Sequence, residues 1–169
     1  MAAGGAAFYG VIAAYARVAA LLLFLALASG PSATVAAPAG WIEVAADNKF
    51  SIMAPPGTTF ARGSGVDSFV GVFNAPGFAV HVDFGAHADP LARDRSRTQY
   101  LARDVIVDGK PAKLVTARSR GGAGYFIGMH VAHVRTSVVG PVGLTFTCDL
   151  AREQDYATLE SVYLSLRFK

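Results

Sequence analysis

The feature that most constrains this chain is a pair of alternating segments closed by one tight turn. Ser68 to Asn74 places Phe69, Gly71 and Phe73 on one side, and Val70 and Val72 on the other. Ala75-Pro76-Gly77 follows. Phe78 to Phe84 then returns with Phe78, Val80, Val82 and Phe84 on one side, and Ala79, His81 and Asp83 opposite. Strict alternation marks a strand, because successive side chains leave a strand on opposite faces. A Pro-Gly turn between two such runs closes a hairpin. An isolated hairpin is barely stable in water, so this one demands further strands beside it.

Those strands are readable. Trp41 to Ala46 is a strand ended by the turn-forming Asp47-Asn48-Lys49. Phe50 to Ala54 is stopped by Pro55-Pro56-Gly57, and Thr58 to Val66 reads as a loop or a frayed edge strand. Val105 to Val107 and Lys110 to Ser119 flank Asp108-Gly109, a hairpin turn. Gly121-Gly122-Ala123-Gly124 leads into Tyr125 to Val134, and a final strand, Gly143 to Leu150, follows Gly140-Pro141. Two segments have a different period. In Asp89 to Asp104, Asp89 is a candidate cap and Pro90 a first helical residue. An imperfect helical stripe follows through Leu91, Arg95, Thr98, Tyr100, Leu101 and Val105, predicting a charged, solvated helix or loop. In Glu153 to Leu166, Tyr156, Leu159, Val162, Tyr163 and Leu166 recur at helical spacing. The expected fold class is α+β, an antiparallel β-sheet flanked by helices. Glycines within strands, Gly71 and Gly128, point to close helix-on-sheet packing.

The first 36 residues differ in kind. Arg17 precedes an apolar run, Val18 to Ala28, then Ser29-Gly30-Pro31 and small residues up to Ala37. A charge, a short apolar core and a small-residue zone are the layout of a secretory signal. Thr34-Val35-Ala36 suits the peptidase. The expected organisation is therefore a signal at 1–36, a linker at 37–40 and one domain at 41–169, exported to the periplasm or the extracellular space. The alternative is an uncleaved anchor over residues 6–28, although Arg17 near its middle opposes it. Leu27-Ala28-Ser29 resembles the tripeptide before a lipoprotein cysteine, but Gly30 follows it, which excludes a lipid anchor.

With Arg17 set apart, the chain has two more basic than acidic residues. They do not form the clustered Lys/Arg face of a nucleic-acid binder, so no nucleic-acid partner is expected. The single cysteine, Cys148, has no intramolecular disulfide partner. It sits in the apolar run Gly143 to Leu150 and reads as a small core residue.

The run Phe50-Ser51-Ile52-Met53-Ala54-Pro55-Pro56-Gly57 behind a Trp-led strand resembles the opening hairpin of PsbP-like domains. The ending Leu164-Ser165-Leu166-Arg167-Phe168 is similar to their C-terminal element. The resemblance spans Trp41 to Phe168. It implies an α-β-α sandwich around an antiparallel sheet. It carries no functional residue onto this chain, because no family site motif is matched.

The strongest candidate for chemistry is His81, Asp83 and His87. On a strand, His81 and Asp83 share a face about 7 Å apart, and His87 lies just past the strand end. Imidazole plus carboxylate suits zinc or another divalent ion. The competing reading is an ordinary polar sheet face under a loop. His130 and His133, three apart on a strand, point to opposite faces, so joint ligation requires a bulge. One of them is expected to be hydrogen-bonded in or beside the core. Arg93, Arg95, Arg97 and Arg103 are a candidate anionic-partner patch, with Asp89, Asp94 and Asp104 offsetting them as a salt-bridged surface. There is no G-x-S-x-G nucleophile motif. Gly121 to Gly124 has only the glycine content of a phosphate cradle, without its lysine or following helix. The chain is thus expected to be a non-enzymatic binding or assembly accessory for an envelope protein or complex, with no cofactor. A metal or small-ligand carrier using His81, Asp83 and His87 is the first alternative, and an envelope enzyme the second.

Overall fold

The computed structural model describes residues 37–138 and 140–169. The expected signal or anchor segment lies outside the described residues. Two antiparallel sheets are present. The small one has the order β1-β2-β10, from Ile42–Ala46, Phe50–Ala54 and Arg167–Phe168. The large one has the order β3-β4-β5-β9-β8-β7-β6. Its strands are β3 (Thr59–Arg62), β4 (Ser68–Ala75), β5 (Phe78–Gly85), β6 (Leu101–Val107), β7 (Lys110–Arg118), β8 (Tyr125–Ser137) and β9 (Gly140–Leu150). One α-helix, α1 (Tyr156–Leu164), follows a short 3-10 turn at Glu153–Asp155.

The alternation of the β4–β5 hairpin sets the layers. β4 and β5 pair with Phe73 opposite Val80 and Phe69 opposite Phe84. On this inner side Val82, Phe146 and Met129 are successive partners across β5, β9 and β8, and all three are buried. The small sheet and α1 cover the inner side together. From β2, Phe50 is fully buried, with ring centroids 6.2, 6.3, 5.9 and 5.8 Å from Phe69, Phe73, Phe84 and Phe146. From α1, the buried Tyr163 ring lies 5.3 Å from that of Phe146. Ser165, just past the helix, accepts a 2.8 Å hydrogen bond from the Met53 amide on β2. The predicted Asp108-Gly109 turn is present, with φ of 49° and 74°, the left-handed pair a two-residue hairpin loop requires.

The expected α+β arrangement, with a sheet flanked by helices as in an α-β-α sandwich, is overturned. The described residues form two antiparallel sheets and a single α-helix, which shares the inner layer with the small sheet. The reason lies in residues 89–104. Leu91 and Gln99 adopt φ of 59° and 56°, which a right-handed helix excludes. Asp89 accepts the Leu91 amide through its own side chain at 2.9 Å, and such local bonds compete with helical backbone pairing. What remains is a 3-10 turn at Ala92–Ser96 whose buried residue is a charge, Asp94, and not an apolar stripe. From Leu101 onward the chain is already β6. Gly71 and Gly128 do mark close approaches, but not of a helix. A Cβ on Gly71 would meet the Phe60 ring of β3 at 2.3 Å, and one on Gly128 would meet Leu91 Cδ1 at 2.9 Å.

Phe50 joins the layers, so Phe50→Ala is expected to cost about 3–5 kcal/mol, the range for deleting a buried aromatic side chain. Denaturant unfolding of both proteins measures it. A loss well under that range means that the two sheets are held together elsewhere.

Candidate functional site

The outer side of the large sheet is where side chains capable of chemistry collect. Cross-strand register lines up Asp83, Thr145, His130, Lys113 and Asp104 as successive partners on β5, β9, β8, β7 and β6. Directly opposed residues share a face, so a polar row crosses the sheet on the side away from the core. The neighbouring row runs His81, Thr147, Gly128, Val115 and Ala102.

Among the described residues no α-helix covers this side. Residues 86–100 do so instead, and three of their attachments shape the site. Leu91 is buried with Val115, Ala117 and Phe126, directly over Gly128. Asp94 and Arg97 form an ion pair at 2.5 Å with side chains only 8 % and 10 % exposed, and the Arg97 guanidinium lies 3.9 Å from the centroid of the Phe126 ring. Thr145 Oγ1 donates a 2.7 Å hydrogen bond to the Asp89 carbonyl.

The third attachment fixes an imidazole. The hydroxyl of Thr145 has one proton, and the Asp89 carbonyl takes it, because a carbonyl only accepts. His130 Nδ1 lies 2.9 Å from the same hydroxyl, so it must be the donor. Neutral His130 therefore carries its proton on Nδ1 and leaves the Nε2 lone pair uncommitted. Burial holds the His130 pKa below its ordinary value, and the Asp89 carboxylate opposes that shift. For Asp89, burial raises the pKa, but the Arg93 hydrogen bond, the Leu91 amide and the charges of Arg93 and His130 outweigh it, and the net shift is downward.

His130 lines an open groove of about 680 Å³ at the β6–β8 end of the outer side. Its apolar lining includes Pro90, Ile106, Pro111 and Ala132, and Lys113 and Arg95 stand at it as cations. Asp104 pairs with Lys113 at 2.7 Å, and no ion pair holds Arg95 among the described residues. The groove abuts β6, an edge of the sheet, where Leu101 and Ile106 are 65 % and 54 % exposed.

His81 and Asp83 lie on the outer side of β5 as the alternation requires, the first exposed and the second half-buried. Asp83 Oδ1 is buried and has no hydrogen-bond partner among the described residues. His87 is exposed in the covering segment. Among the described residues no three His, Cys, Asp or Glu side chains are placed to hold a metal ion. β8 does contain a register irregularity between Val131 and Arg135, but His133 is exposed while His130 bonds Thr145. The four arginines of the predicted patch diverge. Arg93 bonds Asp89 at 2.6 Å, Arg97 is buried against Asp94, and Arg103 pairs with Glu160 of α1 on the inner side. The Cys148 thiol is buried and pushed up to about 11 by that burial, which keeps it protonated and a poor nucleophile at neutral pH.

Sequence spacing missed the linkage of Asp89, Thr145 and His130. A signal existed, because Thr145, His130 and Lys113 each interrupt an apolar alternation with the same outward parity. What placed them side by side is register, which no local spacing records. No protein-family model matches the chain, and a search of curated proteins finds no match.

Two outcomes follow from this geometry. Asp94→Ala leaves the Arg97 charge buried without its close partner and is expected to cost about 3–5 kcal/mol in denaturant unfolding. Stability held by neutral His130 is fully present above its ordinary pKa of 6.5 and is lost as the pH falls through the lower folded value. The loss of unfolding free energy between about pH 7.5 and about pH 5 should therefore be smaller in His130→Gln than in the wild type. Equal losses would show that His130 does not contribute to the acid sensitivity.

Proposed function

We propose that this chain is an exported, non-catalytic binding domain, an assembly accessory that takes an extended segment of an envelope protein along β6. The observation that carries this reading is the groove beside the sheet edge. An edge strand presents unpaired backbone donors and acceptors, and proteins ordinarily blunt such edges with charge, proline or cover. Here the two charged residues of the edge, Arg103 and Asp104, are already engaged by Glu160 and Lys113, and beside them the edge displays Leu101 and Ile106. An added strand gains main-chain hydrogen bonds at β6 and places alternate side chains against the sheet. On the outer side these meet Ile106 and Pro111 and the cation Arg95. The complementary segment is extended, carries an apolar residue for the groove, and has an acidic residue beside it for Arg95. The protonated, buried Cys148 supports the non-catalytic reading. The signal-like residues 1–36 support export.

Affinity capture from an envelope fraction with the full chain and with Leu101→Lys/Ile106→Lys tests the reading. A defined protein bound by the wild type and lost in the double variant, whose melting temperature is unchanged, is the expected result. Identical capture by both, or capture of nothing, overturns it.

A further inference from the structure

Strand register brings several loops to one end of the two layers. β7 pairs with β8 no further than Lys113 opposite His130, and β5 with β9 no further than Gly85 opposite Gly143. β8 and β9 continue without these neighbours to Ser137 opposite Gly140, so residues 132–142 form a two-stranded arm. The β3–β4 loop lies at the same end, because Ser68 begins β4 opposite Gly85. A cleft of about 360 Å³ opens there between the layers, bordered by Lys49, Lys110, Arg135 and Lys169.

Both projecting loops carry an apolar side chain in water. Val66 of the β3–β4 loop and Val138 of the arm are fully exposed, at 99 % and 105 %. The chain joining Ser137 to Gly140 is Val138-Val139, at a position where two-residue connections favour Asn-Gly or Asp-Gly. Turn chemistry therefore does not account for valine here. The cations are set back from these tips. Lys110 Nζ lies 5.7 Å from the centroid of the Phe168 ring, and the Arg135 guanidinium 5.4 Å from that of Phe84. Both rings belong to the layer between the sheets, so the two cations share its open end. Among the described residues no ion pair holds Lys49, Lys110, Arg135 or Lys169. Of the carboxylates nearby, Asp47 pairs with Arg62 at 3.4 Å, and Asp108 accepts the Phe168 amide and lies 3.9 Å from Arg167. Asp67, beside Val66, is in no ion pair among the described residues, and the four cations outnumber it.

We infer that this end of the molecule docks on an anionic lipid bilayer, with Val66 and Val138 entering it and the four cations meeting its headgroup phosphates. Apolar tips in front and cations behind fit a partner whose negative charge lies in front of an apolar phase. A bilayer has that order, with headgroup charge outside and acyl chains beneath. Its surface reaches both loops at once, whereas a protein pocket closed around one tip leaves the other valine in water. Binding of this kind grows with the apolar area buried and with attraction to anionic lipid. The surface is separate from the β6 groove and leaves that groove open to its partner.

Residues 1–36 carry an apolar run of their own, so the test uses a local readout on the full chain. The environment-sensitive fluorophore NBD is attached through Val138→Cys, through Val66→Cys, or through Ile42→Cys as a control. Cys148 is buried and stays unlabelled. Ile42 is also exposed but pairs with Ala54, at the other end of β2 from Lys49. Vesicles are phosphatidylglycerol in phosphatidylcholine, or phosphatidylcholine alone. The expected result is a blue shift at residues 138 and 66 on the anionic vesicles and none at residue 42. Each cation at an anionic surface is worth about fivefold in affinity. The lipid concentration at half-maximal shift should therefore rise about tenfold or more in Lys110→Gln/Arg135→Gln, and about fivefold in Arg135→Gln alone, an exposed site that keeps the test valid if the double variant loses stability. Four results overturn the inference: no shift at residue 138, an equal shift at residue 42, an equal response to phosphatidylcholine alone, or an unchanged midpoint in the charge variants. A shift that needs no vesicles and grows with protein concentration also overturns it, and identifies a second copy as the occupant.

Discussion

The ring of Phe50 is the contact on which the two-layer arrangement depends. It leaves the middle strand of the small sheet and meets Phe69 and Phe73 of β4, Phe84 of β5 and Phe146 of β9. A three-stranded sheet as short as β1-β2-β10 has little stability alone. Seated on four rings from three adjacent strands, it becomes half of a packed core. Its edge strand β10 is in turn tied by the Phe168 amide to Asp108, in the β6–β7 turn of the large sheet, at 2.9 Å. The helix fills the remaining width, with Tyr163 against Phe146.

That solution covers only one side of the large sheet, and the character of the other side follows from it. Thr145, His130 and Lys113 leave too little apolar surface there for a helix to bury. Residues 86–100 close it with the apolar Leu91 and Ala88, a buried ion pair, Asp94–Arg97, a hydroxyl bridge from Thr145 and a backbone bond from the Arg118 amide to the Thr98 carbonyl. An irregular segment fixed at points leaves concave ground on both flanks. The groove at His130 borders Pro90 and Arg95. A cleft of about 640 Å³ borders residues 96–99. Both depressions are consequences of sealing a polar sheet face without an α-helix from the described residues.

The strands were legible because their alternation is local. Phe69 to Phe84 shows its inner and outer faces without reference to anything else. Asp108-Gly109 shows its turn for the same reason. The covering segment misled because its stripe of Leu91, Arg95 and Thr98 satisfies a helical period while its backbone does not. Asp89 captures the Leu91 amide, and Leu91 turns left-handed to reach the gap above Gly128. The driving force for that turn is a cavity made by β7 and β8, outside the segment itself.

The sequence by itself determined the antiparallel strands, the closing helix and the shared outward parity of His81 and Asp83. These depend on side-chain period and turn chemistry, which act over a few residues. Tertiary structure decided the order of strands in the sheet, the division into two layers, the outward placement of His130 and Thr145, and the tautomer of His130. Each of these brings together residues that are distant along the chain, and such meetings are set by register and by which apolar faces find each other.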